Sequence, residues 1–139
     1  MGDVNYLAVL VAAVAVFVLG WLWYSPLVFF KPWMRARGMD PAAAMAGAKM
    51  PGGKLAVEFL RCLVLAYVIA RFVALVGIHH WTNAVYFGFY LWIGFPVILL
   101  VGSVLWENVP WKVAAIHAGD WLVKLLVIPI IMSAWRSGT

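Results

Sequence analysis

Three ionisable side chains interrupt an apolar stretch near the end of this 139-residue chain. His117, Asp120 and Lys124 lie between Trp111 and Trp135 at spacings of three and four residues, so they share one face if the stretch is a helix. A charged side chain in hydrocarbon costs roughly 3 kcal/mol or more unless it is paired or wetted. A carboxylate beside an imidazole and an ammonium could carry a proton or hold an ion, and this triplet is the first candidate site.

A second polar group falls at a similar depth in an earlier apolar stretch. At about 1.5 Å per residue, Glu58 and Arg61 reach the same layer as His117 and Asp120, with Lys124 nearer the midplane. We expect polar residues at the ends of two other apolar stretches to cap this side, namely Tyr24, Ser25, Glu107 and Asn108.

The five ionisable residues allow two interpretations. In the functional one, Asp120 carries a proton or ion, with His117 and Lys124 tuning it, or the layer recognises a polar lipid headgroup or a small solute. In the structural one, the same residues hold two helices together, since Glu58, Arg61, Asp120 and Lys124 are formally neutral as a set. Pairing within each helix is available, and so is pairing between helices, from Asp120 to Arg61 or from Glu58 to His117 or Lys124.

Composition excludes a soluble globular domain. The chain is 67% hydrophobic and only 11% charged, whereas average soluble domains are about 45–50% apolar and about 25% charged. Its net charge of +5 lies mostly in one loop between apolar stretches, which is a topology signal rather than a nucleic-acid surface.

Motifs for catalysis or metal binding are missing from the sequence. No serine stands in a Gly-x-Ser-x-Gly turn, and no phosphate loop or zinc motif is present. Cys62 is the single cysteine, and His79-His80 have no nearby carboxylate. We therefore expect no enzyme activity, no cofactor and no metal site.

Four stretches are long enough to cross about 30 Å of hydrocarbon as helices. They run over about residues 6–24, 55–78, 84–106 and 113–135 and form one domain, residues 1–139. Asp3 or Asn5 could cap the first span. Pro96 and Pro129 lie inside the last two spans, where each removes a backbone hydrogen bond and could produce a kink.

Lysine and arginine counts predict the orientation. The loop between spans three and four carries Lys112. The loop between spans one and two carries five basic residues, namely Lys31, Arg35, Arg37, Lys49 and Lys54. We expect both loops in the cytoplasm and both termini outside, in a bacterial inner membrane. Asp40-Pro41 and the helix formers from Ala42 to Lys49 predict a short interfacial helix in the first loop.

Aromatic residues cluster at the predicted span ends, as in the belts that flank membrane proteins. An aromatic cage for a cation or cofactor is the competing interpretation of these rings. Trp92 and Trp121 fall within spans and could line a packed or ligand-bearing interior.

Two further features concern assembly. Similar endings of spans one and three, Leu22-Trp23-Tyr24-Ser25-Pro26 and Leu105-Trp106 with Pro110, suggest two parallel two-helix repeats. Small residues four apart on spans one and four would let helices approach closely. Because four helices enclose little space, we expect a homo-oligomer, or a complex with another membrane protein, with any solute site between protomers.

Several elements together resemble an uncharacterised bacterial family, domain of unknown function 1761: Leu22-Trp23-Tyr24-Ser25-Pro26, Lys31-Pro32-Trp33-Met34, Trp92-Ile93-Gly94-Phe95 and the His117-centred fourth span. The resemblance covers most of the chain. It implies a small four-helix protein embedded in the lipid bilayer and assigns no activity to any residue.

These observations favour a small oligomeric membrane protein that binds or passes a small solute, an ion or proton, or a lipid through the polar layer of spans two and four. The alternative is a non-catalytic accessory or scaffold subunit.

Overall fold

The computed structural model describes residues 4–25, 28–40, 42 and 52–137, and every regular element in these ranges is helical. The helices are α1 (Tyr6–Trp23), α2 (Phe30–Ala36), α3 (Gly52–Val76), α4 (Trp81–Gly94), α5 (Pro96–Glu107) and α6 (Trp111–Ser137). Four spans are long and apolar enough to cross a membrane: α1, α3, the pair α4 and α5, and α6 to Trp135. The predicted all-helical, four-span architecture is confirmed, and the chain is a multi-pass membrane protein.

Local chemistry sets several helix ends. The Asn5 side chain accepts a hydrogen bond from the Ala8 N–H at 3.1 Å, so Asn5 caps α1, one of the two predicted caps. After α3, Gly77 adopts φ 80°, and its N–H donates to the Val73 carbonyl. Asn108 ends α5 at φ 57°, a left-handed conformation that asparagine tolerates better than most residues.

The third span is broken rather than continuous. Helix α4 ends at Gly94, Phe95 leaves the helical conformation at φ −123° and ψ −77°, and Pro96 begins α5. Proline is favoured in the first turn of a helix, where its missing N–H costs nothing. The third predicted span, 84–106, therefore lies within the span Trp81–Glu107, and the kink that the sequence allowed at Pro96 is a break between two helices.

Pro129 has a different outcome, because α6 continues through it. Proline at this position cannot donate to the Leu125 carbonyl four residues earlier. The backbone of α4 approaches that carbonyl at Gly88, where an added Cβ would overlap the oxygen. The Leu125 carbonyl that Pro129 leaves without its usual helical donor therefore lies against the backbone of α4.

The core is formed mainly by α1, α3 and α6, with Ala84 of α4 also buried in it. Small side chains of α1 and α3 meet in it, with Ala8, Ala12 and Ala66 fully buried, and Ile128 of α6 fills the centre. The third span is the least buried of the four. Its apolar side chains therefore provide much of the surface for lipid.

The first loop contains a helix that the sequence analysis did not predict, α2, which packs against α6. The chain turns back at once after α1, with the Phe30 N–H donating to the Ser25 carbonyl at 3.1 Å. Asp40 accepts a hydrogen bond from the Ala42 N–H at 3.1 Å, as expected of a helix cap. The rest of the predicted interfacial helix lies outside the described residues. The two-helix repeat stays a prediction.

Candidate functional site

One cavity of about 560 Å³ penetrates the helix bundle. It lies at the basic-loop end, meaning the end where α1 finishes and where α3 and α6 begin. Aromatic side chains and ionisable side chains together form most of its lining. The lining comprises Val16, Phe17, Gly20, Trp21, Tyr24, Ser25, Phe30, Trp33, Leu55, Glu58, Arg61, His117, Asp120, Trp121 and Lys124. A volume of this size and an apolar wall with a few polar groups are typical of small-molecule sites.

A buried ion pair forms the inner end of the cavity. Lys124 Nζ lies 3.0 Å from Asp120 Oδ2, and both side chains are less than a tenth exposed. The residues are four apart on α6, so helix geometry brings them together without help from another helix. The Lys124 ammonium also lies 5.3 Å from the centre of the Trp121 ring, within cation–π range.

Glu58 of α3 extends this pair into a chain of alternating charge. Its Oε1 is 4.0 Å from Lys124 Nζ, and Arg61 Nη1 donates to its Oε2 at 2.6 Å. Exposure rises along the chain, from 8% at Asp120 and 9% at Lys124 to 39% at Glu58 and 60% at Arg61. The four charges sum to zero and run from the inside of the cavity to its rim.

A hydrogen-bonded pair lines the side of the cavity. The Tyr24 hydroxyl is hydrogen-bonded to His117 Nδ1. The hydroxyl donates when Nδ1 carries no proton and accepts when it does, so the direction of this bond depends on the protonation of His117. The Trp33 ring of α2 packs against Tyr24 with ring centres 4.7 Å apart, and Arg37 covers Trp33 at 4.9 Å.

Two indoles fix α6 in position behind the charged side chains. Trp23 Nε1 donates to the Ile116 carbonyl at 2.9 Å, and Trp92 Nε1 donates to the Ala118 carbonyl at 2.8 Å. Trp23 can come this close because its ring occupies the space that a side chain at Gly119 would need. These bonds set the rotation of α6, and hence the direction of Asp120 and Lys124.

The far side of the bundle is closed. Measured along the helix axes from the basic-loop end, the lining extends as far as Val16 on α1, Arg61 on α3 and Lys124 on α6. Lys124 is 13 residues from the start of α6, which places it about 20 Å along a helix of about 40 Å. Beyond it the helices are tightly packed, with Ile128 and Val73 fully buried. The cavity is therefore a pocket that reaches about half-way through the bundle.

Most of the candidate residues from the sequence line this pocket. Glu58, Arg61, His117, Asp120 and Lys124 are all there, and of the six secondary candidates so are Tyr24, Ser25 and Trp121. Ser25 uses its hydroxyl to donate to the Leu22 carbonyl at 2.6 Å.

The remaining three candidates are not in the lining. Trp92 acts through the α6 backbone, Glu107 is exposed, and Asn108 forms the end of α5. The expected pairs from Asp120 to Arg61 and from Glu58 to His117 do not form, whereas the pair from Glu58 to Lys124 does. The pocket also lies within one chain, so a solute site need not lie between protomers.

Sequence reasoning found only part of the pocket wall. It expected Tyr24 to cap the polar layer, but it interpreted Trp21 and Trp33 as belt residues at the span ends and assigned the layer to spans two and four. In the structure, α1 and α2 provide the aromatic half of the lining. The available signal was the density of aromatic residues where α1 ends, but belt and pocket wall give the same pattern in sequence.

In the described part of the chain, no group of three or more His, Cys, Asp or Glu residues could hold a metal ion.

A family model described as "Protein of unknown function (DUF1761)" matches residues 7–133. The chain belongs to this family. The match includes every residue of the cavity and confirms the resemblance seen in the sequence. No curated protein and no solved structure matches the chain.

Proposed function

We propose that the protein binds a small polar ligand in the cavity, as a membrane-embedded binding or carrier protein rather than an enzyme. The observation that carries this proposal is the buried Asp120–Lys124 pair at the inner end of an aromatic-lined pocket. An ion pair whose role is only to join helices does not require a cavity beside it. Here the space is large enough for a ligand, and the charges face it.

The closed far side favours binding or alternating access over a continuous pore, because a pore would need a polar path past Ile128 and Val73. In the proposed orientation, the basic loops lie in the cytoplasm of a bacterial inner membrane, so the pocket lies in the cytoplasmic half of the bundle. A homo-oligomer remains part of the proposal, with the lightly buried third span as the available surface.

One observation favours the rival function, an accessory or scaffold subunit. The four charged side chains of the pocket already have partners within the chain, so they can act as structural links between α3 and α6. Asp120→Asn separates the two proposals, because it retains shape and removes the charge.

The test uses the full chain in mild detergent and in proteoliposomes. Three tryptophans line the pocket, so intrinsic fluorescence should report binding from a panel of small amines, carboxylates and zwitterions. We expect saturable binding or proton flux in the wild type, loss of either in Asp120→Asn, and no change in Lys112→Gln, whose side chain is exposed at the start of α6.

Two results would contradict this proposal. One is wild-type binding and flux no greater than those of empty vesicles. The other is an Asp120→Asn variant that loses thermal stability while its binding and flux are unchanged, which would establish the scaffold function.

A further inference from the structure

The position of the pocket opening indicates what kind of molecule reaches it. The exposed members of the lining are Trp21 of α1, 59% exposed, and Arg61 and Glu58 of α3. The opening is therefore between α1 and α3. Both helices carry exposed apolar side chains beside it, Val14 and Val18 on α1 and Val57, Leu60 and Val64 on α3.

These flanking surfaces belong to membrane spans, so the opening adjoins lipid. Arg61 is nine residues from the start of α3, about 14 Å along a helix of about 37 Å. Its guanidinium can reach the interfacial region by extending along the helix, as long basic side chains do. A molecule with a charged head and an apolar chain could place the head in the pocket and leave the chain in the bilayer.

The charges of the pocket select the head. Because two acidic and two basic side chains balance, a ligand with net charge would leave one protein charge without a partner. A zwitterion can instead replace the Arg61–Glu58 pair with two new pairs, an anion on Arg61 and an ammonium on Glu58. Within the described residues, Arg61 uses only Nη1 for Glu58, so its other nitrogens are available to a phosphate.

The order of the charges also fits. In an ethanolamine phospholipid the apolar chains come first, then the phosphate, then the ammonium. From the opening inwards, the pocket presents Arg61 and then the carboxylate of Glu58, with the Lys124–Asp120 pair behind them and aromatic walls that favour a cation. The phosphate would meet the arginine and the ammonium would meet the Glu58 carboxylate.

We infer that the ligand of this pocket is the zwitterionic head of a phospholipid that enters laterally between α1 and α3, with its phosphate on Arg61 and its ammonium at Glu58. This inference rests on the proposed binding function and specifies its ligand. The structural basis is the succession of charges at an opening that faces lipid.

Native mass spectrometry of the delipidated full chain tests this assignment. The probes are phosphatidylethanolamine, phosphatidylglycerol, which has no ammonium, and glycerophosphoethanolamine, which has no acyl chains. We expect phosphatidylethanolamine to bind at least about tenfold more tightly than either of the others, since phosphatidylglycerol loses the charge-assisted hydrogen bond to Glu58 and glycerophosphoethanolamine loses the burial of acyl chains in the micelle.

Two variants and a control make the test specific. Arg61→Gln should lose the preference for phosphatidylethanolamine. Arg71→Gln should keep it, because Arg71 lies on the same helix outside the lining and donates to the Tyr67 hydroxyl at 3.0 Å. The exchange Glu58→Arg with Arg61→Glu keeps a salt bridge at the same spacing but reverses the order of charges, so it should also lose the preference.

Equal binding of phosphatidylethanolamine and phosphatidylglycerol, or full retention of the preference in the exchanged variant, would overturn the inference. Equal affinity for glycerophosphoethanolamine would show that the ligand is a free zwitterion rather than a lipid. If the lipid fails to bind while the small-molecule panel shows binding that depends on Asp120, only this inference fails. If neither binds, the proposed function fails as well.

Discussion

Removal of the Lys124 ammonium is the most direct test of how the buried pair contributes to stability. In Lys124→Met the side chain stays unbranched, becomes one atom shorter and loses its charge, which leaves the Asp120 carboxylate inside the bundle without its 3.0 Å partner. At an effective dielectric of about 20, two charges at this distance attract by roughly 5 kcal/mol. Desolvation opposes that attraction, and loss of one partner of a buried pair typically costs about 3–5 kcal/mol.

The expected result is a fall of about 3–5 kcal/mol in the free energy of unfolding, with most of it recovered in the double variant Asp120→Asn with Lys124→Met. The assay is equilibrium unfolding of the full chain in mixed detergent micelles, followed by tryptophan fluorescence. Lys112→Met is the matched control and should change stability by less than about 0.5 kcal/mol, because its side chain is exposed.

A Lys124→Met variant as stable as the control would refute this reasoning. It would mean that water in the pocket solvates Asp120 well enough that the ammonium contributes little. A double variant no more stable than the single one would also contradict it, because the cost would then come from lost packing rather than from an uncompensated charge.

Two further predictions concern the backbone and use the same unfolding assay. Gly88→Ala should destabilise the protein by about 1–3 kcal/mol, because the new methyl group would overlap the Leu125 carbonyl. Gly102→Ala meets nothing within 4 Å and should be neutral or stabilise α5 by up to about 1 kcal/mol, so equal effects of the two alanines would contradict the close approach of α4 and α6. Asn108→Val should destabilise by about 1–2 kcal/mol, since a β-branched residue is strained at φ 57°, whereas Asn108→Gly should retain wild-type stability; a valine variant as stable as the glycine variant would argue against the left-handed helix end.

The sequence by itself determined the number of spans, limited the cap of the first span to Asp3 or Asn5, and marked Pro96 as a site where the third span could be interrupted. Span length and proline chemistry are properties of consecutive residues, so they can be derived without knowledge of the fold. The pairing of Asp120 with Lys124 can also be derived from the sequence alone, because residues four apart on a helix are neighbours whatever surrounds them. The spacing of Glu58 and Arg61 is equally local, and that pair also forms.

Tertiary structure decided what these groups face. The rotation of α6 about its axis depends on Trp23 of α1 and Trp92 of α4, which lie far from α6 in the sequence and donate hydrogen bonds to its backbone. It also depends on the absence of a side chain at Gly119. The choice of Lys124 rather than His117 as the partner of Glu58 follows from the axial position of α3 against α6, because both candidates lie on the same face of α6. The use of the α1 aromatics as a pocket wall rather than a belt follows from the packing of α1 against α6. Hydropathy shows which residues are apolar, but lipid and a protein interior are equally apolar. Only the packing of one helix on another decides whether an apolar residue faces lipid or the interior of the protein.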